Sequence, residues 1–241
     1  MMQRKLLFTL LSSLSITFSA VISADNLHGD TWLYTQTSAS QTSMTADKAL
    51  DILKSGNQRF ISGASKQRDL LRQAKITSKG QYPFAVVLSC MDSRGSPEII
   101  FDQGIGDVFS VRVAGNVLDE DQLGGLEFAT AAVGSHLIVV MGHTRCGAVA
   151  GACSGVELGS LTQLLQKIEP AVDAVKKAMK TTSMNCQDYK IVDEIAKQNV
   201  LNVVHDITTK SKIISDLVNS GKVKIVGAMQ DLNTGKVTFI N

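Results

Sequence analysis

An α/β domain is expected: a mostly parallel central sheet, about four parallel strands plus an antiparallel C-terminal edge strand, flanked by helices. Four short runs carry that expectation. Residues 84–89 (FAVVLS), 108–113 (VFSVRV), 137–141 (LIVVM) and 223–228 (VKIVGA) are mostly apolar rather than alternating. Strands covered on both faces have that pattern. The stretches between them carry helical periodicity, and alternation of strand and helix marks a parallel sheet.

The elements follow in order. Arg4 and Lys5 give a positive start, residues 6–22 are mostly apolar and uncharged, and Ile22-Ser23-Ala24 is a small-residue exit before Asp25. This describes a secretory signal peptide over residues 1–24, cut after Ala24 or, second, after Ala20. A spanning helix needs roughly 20 strongly apolar residues, and this stretch is diluted by Ser and Thr. No stable membrane anchor is therefore expected, and the product is read as periplasmic or secreted. Residues 25–44, rich in Ser, Thr and Gln, read as a flexible N-terminal arm. The domain proper is expected over 45–241, with no internal repeat. Thr45-Ala46-Asp47 opens an amphipathic helix with Ala49, Leu50, Leu53 and Phe60 at helical spacing and Gly63 as its stop. Helical patterns follow over 97–103, 123–133, 158–179 and 188–219. Asp231-Leu232-Asn233-Thr234-Gly235 reads as a hairpin turn into an edge strand over 236–240.

Composition narrows the function classes. Hydrophobic residues make up 44% of the 241-residue chain, enough for one sizeable core. The net charge of +2 is that of Arg4 and Lys5, so the remainder carries 22 basic residues against 22 acidic ones. A balanced chain has no electrostatic footprint for nucleic acid or anionic membrane. Of the four cysteines, an exported protein would by default form two disulfides. Cys153 and Cys186 are read as either free or joined.

Two motifs carry chemistry. Cys90-Met91-Asp92-Ser93-Arg94 follows the first strand, and His143-Thr144-Arg145-Cys146 follows the third. Ligand sites form at the carboxyl ends of strands in such sheets. Neighbouring parallel strands would bring Cys90, Asp92, His143 and Cys146 together. Two thiolates, an imidazole and a carboxylate suit zinc, a borderline-soft ion with four tetrahedral ligands. Zinc is preferred to a Cys90–Cys146 disulfide because each motif adds ionisable groups where a core wants none, and a metal offsets their burial.

The C-x-D-x-R pattern, followed about fifty residues on by H-x-x-C, resembles the β-class carbonic anhydrases. The likeness extends to Leu53–Phe60 (LKSGNQRF), Arg112-Val113-Ala114-Gly115-Asn116 and Gly124-Gly125-Leu126-Glu127-Phe128, and covers roughly residues 45–240. It implies Cys90, His143 and Cys146 as zinc ligands, with Asp92 and Arg94 as the catalytic pair. Asp92 would be a fourth ligand only in a closed state and would otherwise pair with Arg94. The resemblance also implies a substrate pocket with Gln81 and Phe109 supplied by a partner subunit, and hence a homodimer or tetramer. Phe128 stands where many members carry Tyr. Val87 replaces the Trp of relatives that bind bicarbonate at a regulatory site, so that regulation is not expected. The implied activity is that of a lyase, reversible hydration of carbon dioxide to bicarbonate and a proton, with zinc-bound hydroxide as nucleophile. No proton shuttle is assigned: His28 lies in the arm, and His136 and His205 have no evident link to the site. Three rivals remain. Hydrolysis of carbon disulfide or carbonyl sulfide would use the same fold. A closed, non-catalytic zinc site would have no need of Arg94 or Gln81. A thiol redox protein would want C-x-x-C, which is absent.

Overall fold

A computed structural model describes residues 33–240. The expected signal segment, and residues 25–32 of the expected arm with His28, lie outside the described residues. The sheet has five strands: β1 (Ala85–Ser89), β2 (Val108–Arg112), β3 (Leu137–His143), β4 (Lys224–Gln230) and β5 (Val237–Ile240). Their spatial order is β2-β1-β3-β4-β5. The first four are parallel and β5 runs antiparallel to β4, as expected from the sequence.

Every residue of β1 and β3 is buried, which explains their continuous apolar runs. Side chains alternate faces along a strand. Val87 and Val139 point to one face, against Ala49, Leu50 and Leu53 of helix α2 (Ala46–Ile61), while Val86, Leu88, Ile138 and Val140 point to the other, against Val200, Val203 and Ile207 of α9 (Tyr189–Lys210). A further cluster lies beside the site, where Cys90 and Cys146 pack among Val149, Leu165, Ile168 and Ile195.

The LKSGNQRF segment owes its composition to packing. A Cβ on Gly56 would lie 1.8 Å from the Phe101 carbonyl oxygen, so only glycine lets α2 approach. The Asn57 side chain donates to the Ile100 and Gly235 carbonyls and accepts from the Val237 amide, tying three segments together. Arg59 pairs with the buried Asp102 at 2.5 Å, and Arg68 pairs with the same carboxylate.

Several boundaries differ from expectation. Residues 33–44, read as part of a loose arm, include a capped helix α1 (Ser38–Thr42). Gln41 donates to the Pro83 carbonyl at 2.8 Å, and Met44 joins the core. Polar side chains pack this segment, so it carries no apolar period. Helices α3 (Leu70–Thr77), α4 (Pro97–Ile100) and α5 (Glu120–Glu127) precede β3, and α5 continues as a π-helical turn over Phe128–Ala132. The pattern over 158–179 is two helices, α7 (Gly159–Gln166) and α8 (Glu169–Met179), because Pro170 starts the second. The pattern over 188–219 breaks at Ser211, whose hydroxyl accepts from the Ile214 amide and caps α10 (Lys212–Asn219). Helix α6 (Gly147–Cys153) completes the set. Among the described residues no helix is long and apolar enough to cross a membrane.

Candidate metal centre

Cys90 is the residue after β1, His143 ends β3 and Cys146 caps α6. Because β1 and β3 are neighbours in register, their carboxyl ends deliver the three side chains to one place. One ligand atom from each lies within 4.8 Å of the others, and all three residues are buried. The two sulphurs are 4.0 Å apart and unbonded, so the pair is not a disulfide.

The environment fits a metal. His143 Nδ1 lies 2.9 Å from the Thr144 carbonyl, which fixes the ring and its tautomer. His143 Nε2 is buried and has no hydrogen-bond partner among the described residues. A buried ring nitrogen left unpaired costs about 1–3 kcal/mol, and a metal bound there removes that cost. Gly115 donates its N–H to Cys90 Sγ at 3.3 Å. Its φ is +66°, and a Cβ there would meet Ile168 Cδ1 at 2.6 Å, so the position needs glycine. Asn199 holds the same turn by donating to the Gly115 carbonyl at 2.9 Å. Arg112 donates to the backbone carbonyls of Cys90 and Asp92, at 3.2 and 2.6 Å, fixing the first loop.

Between the thiols, the hydrogen bond from Cys146 draws Cys90 down to about 4, against burial and with help from His143 and Gly115. Cys146 is pushed up by that same bond and by burial. Burial disfavours the charged His143 ring, but the Cys90 thiolate and the Thr144 carbonyl outweigh it and the pKa rises. The pocket therefore gathers two sulphurs and an imidazole nitrogen, a donor set that gives up its protons when it takes a borderline-soft cation.

Asp92 is beside the ligands: its Oδ2 lies 3.9 Å from His143 Nε2. Arg94 grips it twice, Nε to Oδ1 at 2.9 Å and Nη2 to Oδ2 at 2.7 Å, and adds its backbone N–H to Oδ1 at 3.0 Å. The Arg94 guanidinium holds the Asp92 carboxyl well below the usual carboxylate range.

The structure thus brings together Cys90, His143, Cys146, Asp92 and Arg94. Gln81 and Phe109 lie elsewhere. Gln81 is exposed on the loop leading into β1, and Phe109 is in register with Val86 near the amino end of β1, whereas Cys90 is at the carboxyl end. Phe128 is 53% exposed, its ring centroid 5.9 Å from that of Phe109. Val87 is a fully buried strand residue. His136 is tied to the Lys222 and Gln41 carbonyls. Cys153 and Cys186 form a disulfide. Sequence reasoning missed Asp193, which accepts from the Arg145 amide in the second motif at 2.6 Å. No local pattern announces it.

Residues 85–237 match the family model described as carbonic anhydrase. Carbonic anhydrase 2 of Mycobacterium tuberculosis is 36% identical over 190 residues, covering 78% of this chain and 89% of that protein. The carbonic anhydrase of Mycolicibacterium smegmatis is 35% identical over 192 residues, covering 77% and 88%. Among solved structures, a β-carbonic anhydrase of Aspergillus fumigatus superposes with a TM-score of 0.65 at 23% identity, covering 78% of this chain and 88% of that one. One of two tetrameric β-carbonic anhydrases from Sordaria macrospora gives 0.62 at 24% identity, covering 69% and 85%.

Proposed function

The chain belongs to the β class of the carbonic anhydrases, enzymes of carbon dioxide hydration, and from that premise we propose that one zinc ion held by Cys90, His143 and Cys146 carries the reaction here. The observation that carries the reading is the buried, partnerless Nε2 of His143 facing two unbonded sulphurs. Zinc, when bound, supplies the Lewis acidity that makes water a nucleophile near neutral pH. The chain's own residues do the rest. Two thiolates leave more negative charge on the metal than three imidazoles do, so activity should rise into alkaline pH. Asp92, kept ionised by Arg94, is the acceptor that orients the attacking water. Arg94 keeps Asp92 out of the fourth position. Apolar Phe109 and Phe128 suit a substrate with no net dipole.

The same reading extends to assembly and location. We assign Gln81 and Phe109 to the pocket of a second copy, which makes the working unit at least a dimer. The tetrameric β-carbonic anhydrases of Sordaria macrospora are compatible with pairing of such dimers. A periplasmic or secreted product is supported by the pattern of residues 1–24 and by the Cys153–Cys186 disulfide, a bond that persists in oxidising compartments.

One preparation tests the proposal. The purified protein should contain one zinc per chain, begin at Asp25, and hydrate carbon dioxide in a stopped-flow assay. Chelator should abolish that activity, and Cys146→Ser should lose most of the zinc and all turnover. Full zinc occupancy in Cys146→Ser overturns the ligand assignment, and a soluble cytoplasmic protein retaining Met1 overturns export.

A further inference from the structure

We propose that Asp193, backed by the Cys153–Cys186 disulfide, positions the loop that carries His143 and Cys146 and so sets how long the chain retains its metal. The inference rests on the zinc reading above and concerns residues that reading leaves without a role.

The loop between the two ligands is strained. Arg145 has φ +55°, in the left-handed region that non-glycine residues rarely enter. Such a conformation persists only where its surroundings over-determine it. On one side the end of β4 supplies the hold: Thr144 donates its amide to the Gln230 carbonyl at 2.9 Å, and its Oγ1 accepts from the Leu232 amide at 3.0 Å. On the other side the hold is the start of α9. The Arg145 amide donates to Asp193 Oδ1 at 2.6 Å, and the guanidinium sits 5.0 Å from the centre of the Tyr189 ring. Asp193 makes no ion pair among the described residues, and the Arg145 amide is the one donor recorded for its carboxylate there.

The disulfide closes this arrangement into a ring. Cys146 caps α6, and Cys153 is the last residue of that helix. Cys153 is bonded to Cys186, two residues before the α9 cap Asp188. The path therefore runs from Cys146 along α6, across the disulfide, into the first turns of α9, and back through Asp193 to Arg145, the neighbour of Cys146. Without the disulfide, the start of α9 is held against α6 by packing alone, through Val192 and Ile195, and the hold of Asp193 on the loop loosens. Without Asp193, the strained amide of Arg145 loses its acceptor and the ligands on either side lose their fixed geometry. Partners that orient metal ligands from outside typically change metal affinity about 10- to 100-fold when removed.

The test follows zinc release from the disulfide-bonded, zinc-loaded protein into an excess of a chromophoric chelator. Asp193→Ala should release zinc about tenfold faster than wild type or more. Asp193→Asn keeps an acceptor oxygen and should restore a near wild-type rate. The double variant Cys153→Ser/Cys186→Ser should also release faster, and adding Asp193→Ala to it should give no more than Asp193→Ala alone, since both act through one loop. The visible absorption of the cobalt-loaded protein should shift in Asp193→Ala and not in Asp193→Asn. Asp102→Asn, which breaks a remote ion pair, should lower the melting temperature without hastening release, separating positioning from general stability. Wild-type release rates in Asp193→Ala, or no rescue by Asp193→Asn, overturn the inference while the zinc reading stands. Multiplying effects in the triple variant overturn the role of the disulfide. A wild-type chain that takes up no zinc overturns the zinc reading and the inference with it.

Discussion

Asp92 takes three hydrogen bonds from Arg94 and lies 3.9 Å from the unpartnered nitrogen of His143. A surface ion pair contributes little, so a weak role would predict almost no effect of removing either partner. The geometry predicts otherwise. Arg94→Ala frees a carboxylate beside a cation site, and Asp92 should then close the fourth position. Zinc content should stay near wild type while turnover falls by about 100-fold or more, the usual contribution of a positioned proton acceptor. Asp92→Asn leaves that position open and weakens the acceptor, so some activity should survive. Zinc stoichiometry and turnover of both variants check this, and near wild-type turnover in Arg94→Ala would falsify the gating role. These five residues are legible in the sequence because each motif is short and follows a strand. The Gly115 contact with Cys90 and the role of Asp193 are not, because those contacts bridge 25 and 48 residues, and only the fold makes them neighbours.

Among the elements, α2 shows how a segment can be recognisable for packing rather than chemistry. Its Arg59 shares Asp102 with Arg68, and the Asp102 side chain is only 2% exposed. Asp102 also has φ +48°, which Asn tolerates. Asp102→Asn should therefore keep the backbone but strand two arginines, costing about 3 kcal/mol, the lower end for a buried pair because Arg59 is partly exposed. Burial opposes the charge on Asp102, but Arg68 and Arg59 outweigh it and its pKa is lowered. A lowered carboxylate contributes stability above its unfolded pKa of about 4, and that contribution fades as pH falls through the folded value. The gap in melting temperature between wild type and Asp102→Asn should thus be widest near neutrality and narrow below about pH 4. A gap independent of pH would refute the ion-pair account. Asp107 has the opposite sign: burial raises its pKa, so it favours folding in acid and partly offsets the loss. The disulfide, spanning 33 residues, contributes about 3–4 kcal/mol in the chain-entropy account. The strands were readable as apolar runs to within two residues, and β3 extends to His143 because its last residues pair with Met229 and Gln230. Helix α6 was not readable: GAVAGAC is small and weakly patterned, and its position is set by Cys146 and the packing of Val149. The joins at Ile168 and Ser211 escaped for a related reason, since apolar periodicity runs across both breaks.

At the scale of the whole molecule, the sheet ends in open strand edges among the described residues. Strands β2 and β5 are the two ends of the sheet order, and the outer edge of β2 is unpaired among the described residues. Unpaired edges are normally covered or blunted. The residues assigned to the pocket by resemblance also lie at the wrong end. Gln81 precedes the amino end of β1 and Phe109 pairs with its second residue, whereas Cys90 follows its carboxyl end. From Ala85 to Ser89 the strand alone spans roughly 13 Å. If Gln81 lines a pocket, that pocket belongs to another copy. A single variant does not separate this from an indirect effect, but a pair does. Gln81→Ala should retain zinc and lose much of kcat/KM, and Cys146→Ser should be inactive. Each homodimer then has two defective sites. In a mixed dimer, the Gln81→Ala subunit keeps its metal ligands and receives an intact Gln81 from its Cys146→Ser partner, so one of the two sites is wild type. Co-expressed and purified as the mixed species, the pair should recover about half of the wild-type activity per dimer, above either homodimer. Light scattering on the same sample should show no monomer at assay concentration. If Gln81 served its own chain, the mixed dimer would carry one Gln81-deficient site and one metal-free site, and activity would not exceed half that of the Gln81→Ala homodimer.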